Sequence, residues 1–291
     1  MNNSMRAPLG QFADICSMIK IEHSVFALPY AWAGAVLAAR GLPPVQSLIF
    51  LTIAMAAVRS FAMAFNRLAD LPLDRANPRT CKCPLVSGRI SVRQTWAFCG
   101  VTALIFIASC AALNNLCLRL SAPALLFAAA YSLLKRFTSL CHFWLGATLG
   151  LAPLAGWISV TPGSMNLAPV LLFFAVTFWV AAFDIYYSFQ DMDFDKAFGL
   201  YSVPSVYGTK TALAIAAFSH CMTAVFLSLA GAAAGLSWPW FCICAGIAVL
   251  LFTEHRLMNA EDLRHVNTAF FTLNGAISPV VLAGVILGIL V

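Results

Sequence analysis

Charge is what this chain of 291 residues lacks. Only 10% of its residues are charged and eleven are acidic, against 62% hydrophobic residues and a mean hydropathy of +0.88. So few charges do not cover a water-soluble globule of this size, and an integral membrane protein is expected instead. A signal-peptide core is also missing. Asp14, Lys20, Glu22 and His23 interrupt the stretch after Arg6 where its apolar centre would lie, so the N-terminus is expected to be retained. There are no repeated ten-residue alternating segments, which argues against a barrel, and the long continuous apolar runs call for helices. No soluble basic region interleaved with aromatics accompanies the net charge of +6, so that charge does not point to nucleic acid. The ten cysteines are scattered. Cys81 and Cys83 form a close pair and lack the further ligands of a structural zinc site.

What the chain does have is apolar runs of about 20 residues, the length that crosses a bilayer as helix. They fall at approximately 23–40, 45–65, 94–113, 120–135, 139–158, 167–189, 210–230, 236–253 and 268–290. The fourth is short and the fifth carries Pro153, so the border between those two is the least marked. With the N-terminus in the cytoplasm, fifteen Lys and Arg residues fall inside and only Arg40 and Arg119 outside, the asymmetry of a positive-inside protein. The expectation is an all-α integral membrane protein with nine transmembrane helices. The C-terminus would lie on the opposite side of the membrane from the N-terminus. Residues 1–22 would form an interfacial segment and 23–291 a single domain with motif loops at about 66–93 and 184–209. Most basic residues then serve topology, in loops that can meet anionic lipid or an anionic substrate.

The few acids are unevenly placed. Six of the eleven lie in two clusters, NRLADLPLD at 66–74 and DIYYSFQDMDFD at 184–195, each at the end of an apolar run. Carboxylates beside hydrocarbon need something positive to meet them, and divalent metal is the obvious partner. If the second helix continues through the first cluster, Asn66, Asp70 and Asp74 recur every four residues along one face. Pro72 would end or unwind that helix and leave Asp74 at its cytoplasmic rim. Asp184, Asp191 and Asp195 return to one helical face in the same way, with Asp193 pointing elsewhere. Asp184 follows FWVAAF, so it requires a metal, a base or an aqueous cavity. Oxygen ligands of this kind suit magnesium, which takes few protein carboxylates and shares itself with phosphate. Nine spans put both clusters on the same membrane face, together with Arg67, Arg79, Lys135 and Arg136. A substrate with a diphosphate head and a hydrocarbon tail reconciles such a cage with an apolar interior. A secondary transporter is the alternative class, since it too combines acids with broken helices. Its coupling sites would lie near the midplane, whereas both clusters lie near one face.

These motifs resemble those of the UbiA-type intramembrane aromatic prenyltransferases, whose first signature is Asn-Asp-x-x-Asp-x-x-x-Asp and whose second is Asp-x-x-x-Asp preceded by another Asp. NPRT at 77–80, LVSGRIS at 85–91, YSLLKRFTSLCHFWLG at 131–146 and GLYSVPSVYG at 199–208 extend the similarity over nearly the whole chain. The first signature departs from the commonest form by placing Arg67 where Asp usually follows Asn. That variant is similar to the 4-hydroxybenzoate polyprenyltransferase-like branch, including its menaquinone-pathway members.

The resemblance implies Mg2+ as cofactor, with Asn66, Asp70, Asp74, Asp191 and Asp195 as metal ligands. Arg67, Arg79, Lys135 and Arg136 would contact the diphosphate, and Asp184 and Asp191 would be the catalytic, proton-handling acids. It implies a polyprenyl diphosphate donor and an aromatic acid acceptor in quinone biosynthesis, 4-hydroxybenzoate-like or a naphthoate or dihydroxynaphthoate of the menaquinone route. It also implies helices around a central cavity with cytoplasmic cap loops in a bacterial cytoplasmic (inner) membrane; membrane lipid would surround the chain, and no obligate protein partner or nucleic acid is inferred. Tyr131, Phe183, Tyr186, Tyr187 and Phe189 offer ring faces to a carbocation. Lys20, Glu22 and His23 are expected at the entry to the first helix, close to the cytoplasmic face and the cavity mouth. Glu254, His255, Arg256 and residues 261–265 are expected on a solvated loop face, and Asn274 and Pro279 in helix packing.

Overall fold

The computed structural model describes residues 8–19, 27–258 and 274–291. Lys20, Glu22 and His23, and the acidic and basic residues at 261–265, lie outside the described residues. All described regular structure is helical: α1 (Pro8–Ile19), α2 (Leu28–Ala39), α3 (Val45–Ala69), α4 (Leu71–Ala76), α5 (Val92–Leu113), α6 (Asn115–Leu134), α7 (Cys141–Val160), α8 (Leu167–Ser188), a 3-10 turn at Phe189–Asp191, α9 (Met192–Ala197), α10 (Val203–Ala234), α11 (Trp238–Leu257) and α12 (Asn274–Leu290). Seven described helical segments are long and apolar enough to cross a membrane, while α2 and α12 are apolar but shorter. The fourth and fifth expected spans are separate helices, divided by a turn at 135–140, and the fourth begins earlier than expected, at Asn115.

Polar residues cap the helix starts where the apolar runs begin. Ser91 and Gln94 form a reciprocal capping box on α5, and the side chains of Asn114 and Asn166 accept first-turn N–H bonds of α6 and α8. α10 starts seven residues before the span at 210–230, because Gly208 (φ +76°) allows a break that a side chain would oppose.

Small residues set how closely the helices approach. A Cβ on Gly146 would run into the Thr177 backbone, one on Gly150 would press on Phe173, and one on Gly156 would run into Ala31. α7 is thereby held against α8 on one side and α2 on the other. α8 is the central element, packed by α7 and α10 and burying Leu172, Val176, Trp179 and Val180 in a core with Tyr30 and Trp240. The C-terminal ends of α3, α6 and α8 and the N-terminal ends of α7 and α10 come together at one end of the bundle, where the two acidic clusters lie.

Candidate functional site

α3 stops at Ala69, with Asp70 as its cap, and α4 resumes immediately with Pro72 in its first turn, where a missing N–H costs nothing. The backbone still closes Asp70 N–H onto Asn66 and Asp74 N–H onto Asp70, so the three residues keep helical spacing across the break. Asp74 is buried, and its carboxylate accepts from Arg67 Nη1 at 3.0 Å. Asn66 Nδ2 donates to Asp70 Oδ2 at 3.1 Å.

The second cluster does not form one continuous helix either. α8 ends at Ser188, the 3-10 turn carries Asp191, and α9 carries Asp195. This double break, and not a single helical face, brings Asp184, Asp191 and Asp195 to a common wall, while Asp193 stays exposed.

Both walls border one cavity of about 250 Å3, lined by Asp70, Asp74, Asp184, Asp191 and Asp195 and by Arg59, Arg67, Arg79 and Lys135. Its apolar part is made by Met63, Leu145, Leu149, Val180 and Phe183. The cations hold the acids: Lys135 Nζ is 2.7 Å from Asp70 Oδ2, and Arg79 grips both oxygens of Asp191, with Nε 2.9 Å from Oδ1. Burial works against the Arg79 charge, but the hydrogen bonds and charge of Asp191 outweigh it and raise the guanidinium above its ordinary pKa. Arg79 also lies 5.3 Å from the Tyr187 ring centre. Asn77 orders this rim by donating to Asp191 Oδ1 at 3.0 Å and accepting from the Arg79 N–H at 2.9 Å.

Arg136 is brought to Asp70 (3.5 Å) but does not line the cavity. Its guanidinium donates to the Ala69 carbonyl, a free acceptor at the end of α3. Among the expected ring faces, Tyr131, Phe183 and Tyr187 line the cavity. Tyr186 and Phe189 pack on the other side of α8, where the Tyr186 hydroxyl meets His255 Nδ1 at 2.7 Å. Glu254 is not solvated either: it is 1% exposed, and Asn274 donates to it at 2.7 Å while accepting from Trp179.

Two basic cavity residues were not singled out in the sequence. Arg59 is an arginine inside the apolar run of α3, a position that in a membrane helix signals function. His142 is buried at the start of α7 and meets Asp184 Oδ2 at 2.7 Å, so Asp184 has both a basic partner and a cavity, two of the three surroundings its position allowed. Its sequence signal is the four-residue spacing to Gly146 and Gly150, which puts it on the face turned towards α8.

Among the described residues no three acids, histidines or cysteines are gathered into a ready-made metal cage. The donor set does fit a cation that arrives with its own oxygen ligands: carboxylates stand on facing walls, and Asp70, Asp74 and Asp191 are each paired with a base that phosphate could draw away.

The UbiA prenyltransferase family model matches residues 27–276. The chain belongs to the UbiA prenyltransferase family. UbiA relatives extend over most of it. A 4-hydroxybenzoate octaprenyltransferase of Xanthomonas campestris pv. campestris (strain B100) is 34% identical over 244 residues, covering 84% of this chain and 80% of that protein. The apo structure of a UbiA homolog from Aeropyrum pernix K1 superposes with a TM-score of 0.83 at 34% identity, covering 91% of this chain and 98% of the homolog. A UbiA homolog from Archaeoglobus fulgidus, whose structure is bound to GPP and Mg2+, shares the fold with a TM-score of 0.74 at 23% identity, covering 96% and 100%. The protein is a multi-pass membrane enzyme that transfers an alkyl group other than methyl, which sets the transporter alternative aside.

Proposed function

We propose that the protein transfers a polyprenyl group from an all-trans polyprenyl diphosphate to an aromatic acid of the 4-hydroxybenzoate type, with magnesium, in quinone biosynthesis. The observation that carries this reading is the cavity itself: facing acidic walls, each neutralised by a base, above an apolar chamber. The bound ligands of the Archaeoglobus homolog and the name of the Xanthomonas relative support the donor and acceptor classes.

Asp70 and Asp74 with Asn66, and Asp191 with Asp195, would hold the metal. When bound, magnesium supplies positive charge to the leaving diphosphate oxygens. Arg67, Arg79 and Lys135 would turn from their carboxylates to the diphosphate and neutralise its remaining charge. Arg136 would stay on Asp70 and keep the end of α3 in place. As the allylic C–O bond breaks, the ring faces of Tyr131, Phe183 and Tyr187 would meet positive charge on the prenyl carbon. Met63, Leu145, Leu149 and Val180 would exclude the water that otherwise consumes it. An acceptor carboxylate is matched by Arg59 or Arg67. Asp184 is the better proton acceptor than Asp191, because a carboxylate shared with a metal is a weaker base. The same reading puts nine spans in a bacterial inner membrane, with the N-terminus and the capping loops cytoplasmic.

The test is product identity: purified protein in lipid, given magnesium, candidate aromatic acids and prenyl diphosphates, should yield a prenylated acid by mass spectrometry. Folded, donor-binding protein that prenylates no acid in the panel would refute the acceptor assignment.

A further inference from the structure

His142 makes two contacts, and together they fix its proton. Its Nδ1 lies 2.7 Å from Asp184 Oδ2, and its Nε2 lies 3.1 Å from the backbone nitrogen of Val203, whose N–H points at it. A backbone N–H only donates, so Nε2 must present a lone pair there. The ring proton is then on Nδ1 and is donated to Asp184. Turning the ring over would aim carbon at both partners, so the network admits one tautomer. The Val203 N–H belongs to the first turn of α10, one of the donors a helix start leaves without an intrahelical partner.

We infer that His142 is a positioning residue: a neutral imidazole that orients the Asp184 carboxylate with Nδ1–H and anchors the start of α10 with Nε2, without itself carrying a proton in turnover. The inference deepens the role proposed for Asp184 and rests on that reading for its catalytic part.

The same junction is tied in two more places. The Tyr201 N–H donates to the Lys135 carbonyl at 2.7 Å, and Cys141 Sγ donates to the Tyr201 carbonyl at 3.4 Å. The turn that presents Lys135 and the segment that follows Asp195 are thus held to each other, with His142 as the member that reaches Asp184. Neutrality has an electrostatic consequence. Five carboxylates and four Arg and Lys cations line the cavity, so an uncharged His142 leaves the acids in excess, whereas an imidazolium would cancel that excess. A cavity with net negative charge suits a centre that must receive positive charge.

The experiment combines ring-nitrogen NMR of 15N-histidine-labelled protein in lipid, assigned against the His142 variants, with kinetics. The spectrum should show one protonated and one hydrogen-bonded, unprotonated ring nitrogen, with Nδ1 protonated. An imidazolium or an Nε2–H tautomer overturns the inference whatever the acceptor proves to be. His142→Asn can place an amide N–H where Nδ1 was, and His142→Gln an amide oxygen where Nε2 was. Asn should keep kcat near that of the parent while thermal stability falls. Gln should keep the fold and lower kcat by about tenfold or more with donor KM little changed, as for outer groups that orient a catalytic ligand. Gln matching the parent while Asn loses turnover would overturn the positioning of Asp184. If both variants fail to fold, the spectrum of the parent protein decides. A failed acceptor assignment would show separately, as absent product with an unchanged histidine spectrum.

Discussion

Arg79 and Asp191, 112 residues apart in sequence, join the two acidic clusters across the cavity: Nε donates to Oδ1 at 2.9 Å and Nη2 to the other oxygen. The link ties the loop after α4 to the turn after α8 and holds the rim in one geometry until something more negative than a carboxylate competes for the guanidinium.

That pairing predicts that Arg79→Lys does not substitute for Arg79. A lysine offers a point charge in place of a planar fork. Because Arg79 is about one-third exposed, a double-mutant cycle with Asp191→Asn should give a stability coupling below roughly 1 kcal/mol. Turnover should fall far more than stability in Arg79→Lys, measured by kinetics beside thermal unfolding. Parent-like turnover would remove Arg79 from the site.

Arg67 and Asp74 behave differently because Asp74 is buried and Arg67 nearly so, at 11% and 13% side-chain exposure. Arg67→Ala strands a buried carboxylate and should destabilise by roughly 3–5 kcal/mol. Adding Asp74→Asn should restore part of that loss. Arg67→Asp, which recreates the commoner signature, should be less stable than Arg67→Ala without metal, since it sets a second acid beside Asp74. Thermal melts with and without magnesium separate these cases.

Gly146→Ala tests how the fold positions the site. The added methyl would meet the Thr177 backbone and push α7 from α8, which also separates His142 from Asp184. A stability loss of about 1–3 kcal/mol with reduced turnover is expected. Gly100→Ala, inside α5 with nothing within 4 Å, serves as the control: turnover should stay unchanged and stability should hold or rise by about 0.5–1 kcal/mol.

The buried chain Trp179–Asn274–Glu254 lies apart from the cavity and should affect stability without touching donor KM. Asn274→Ala removes the donor to a carboxylate that is 1% exposed, at a cost of about 1–3 kcal/mol. A changed KM with unchanged melting would contradict this separation.

Much of the site was legible because charge is rare in this chain. Asp70, Asp74, Asp191 and Asp195 stand out against an apolar background, and the helical spacing of the first cluster survives its break. What was hidden depends on long-range geometry. No local pattern says that Asp184 is answered by His142, 42 residues earlier, or that Glu254 turns inward to Asn274 instead of facing water. The single face assumed for Asp184, Asp191 and Asp195 was replaced by a turn at Phe189–Asp191, since the helix signal does not report where a chain bends to follow its neighbours. Lys135 and Arg136 are adjacent and equally basic, yet only Lys135 reaches the cavity, a distinction set by the turn at the end of α6.

The most direct test of the account is magnesium-dependent turnover of prenyl diphosphate in lipid by Asp70→Asn and Asp191→Asn, with thermal melts to confirm folding. If both clusters serve one diphosphate site, each substitution should lower turnover by at least about a hundredfold while the protein stays folded. Full magnesium-dependent turnover in both variants would contradict it.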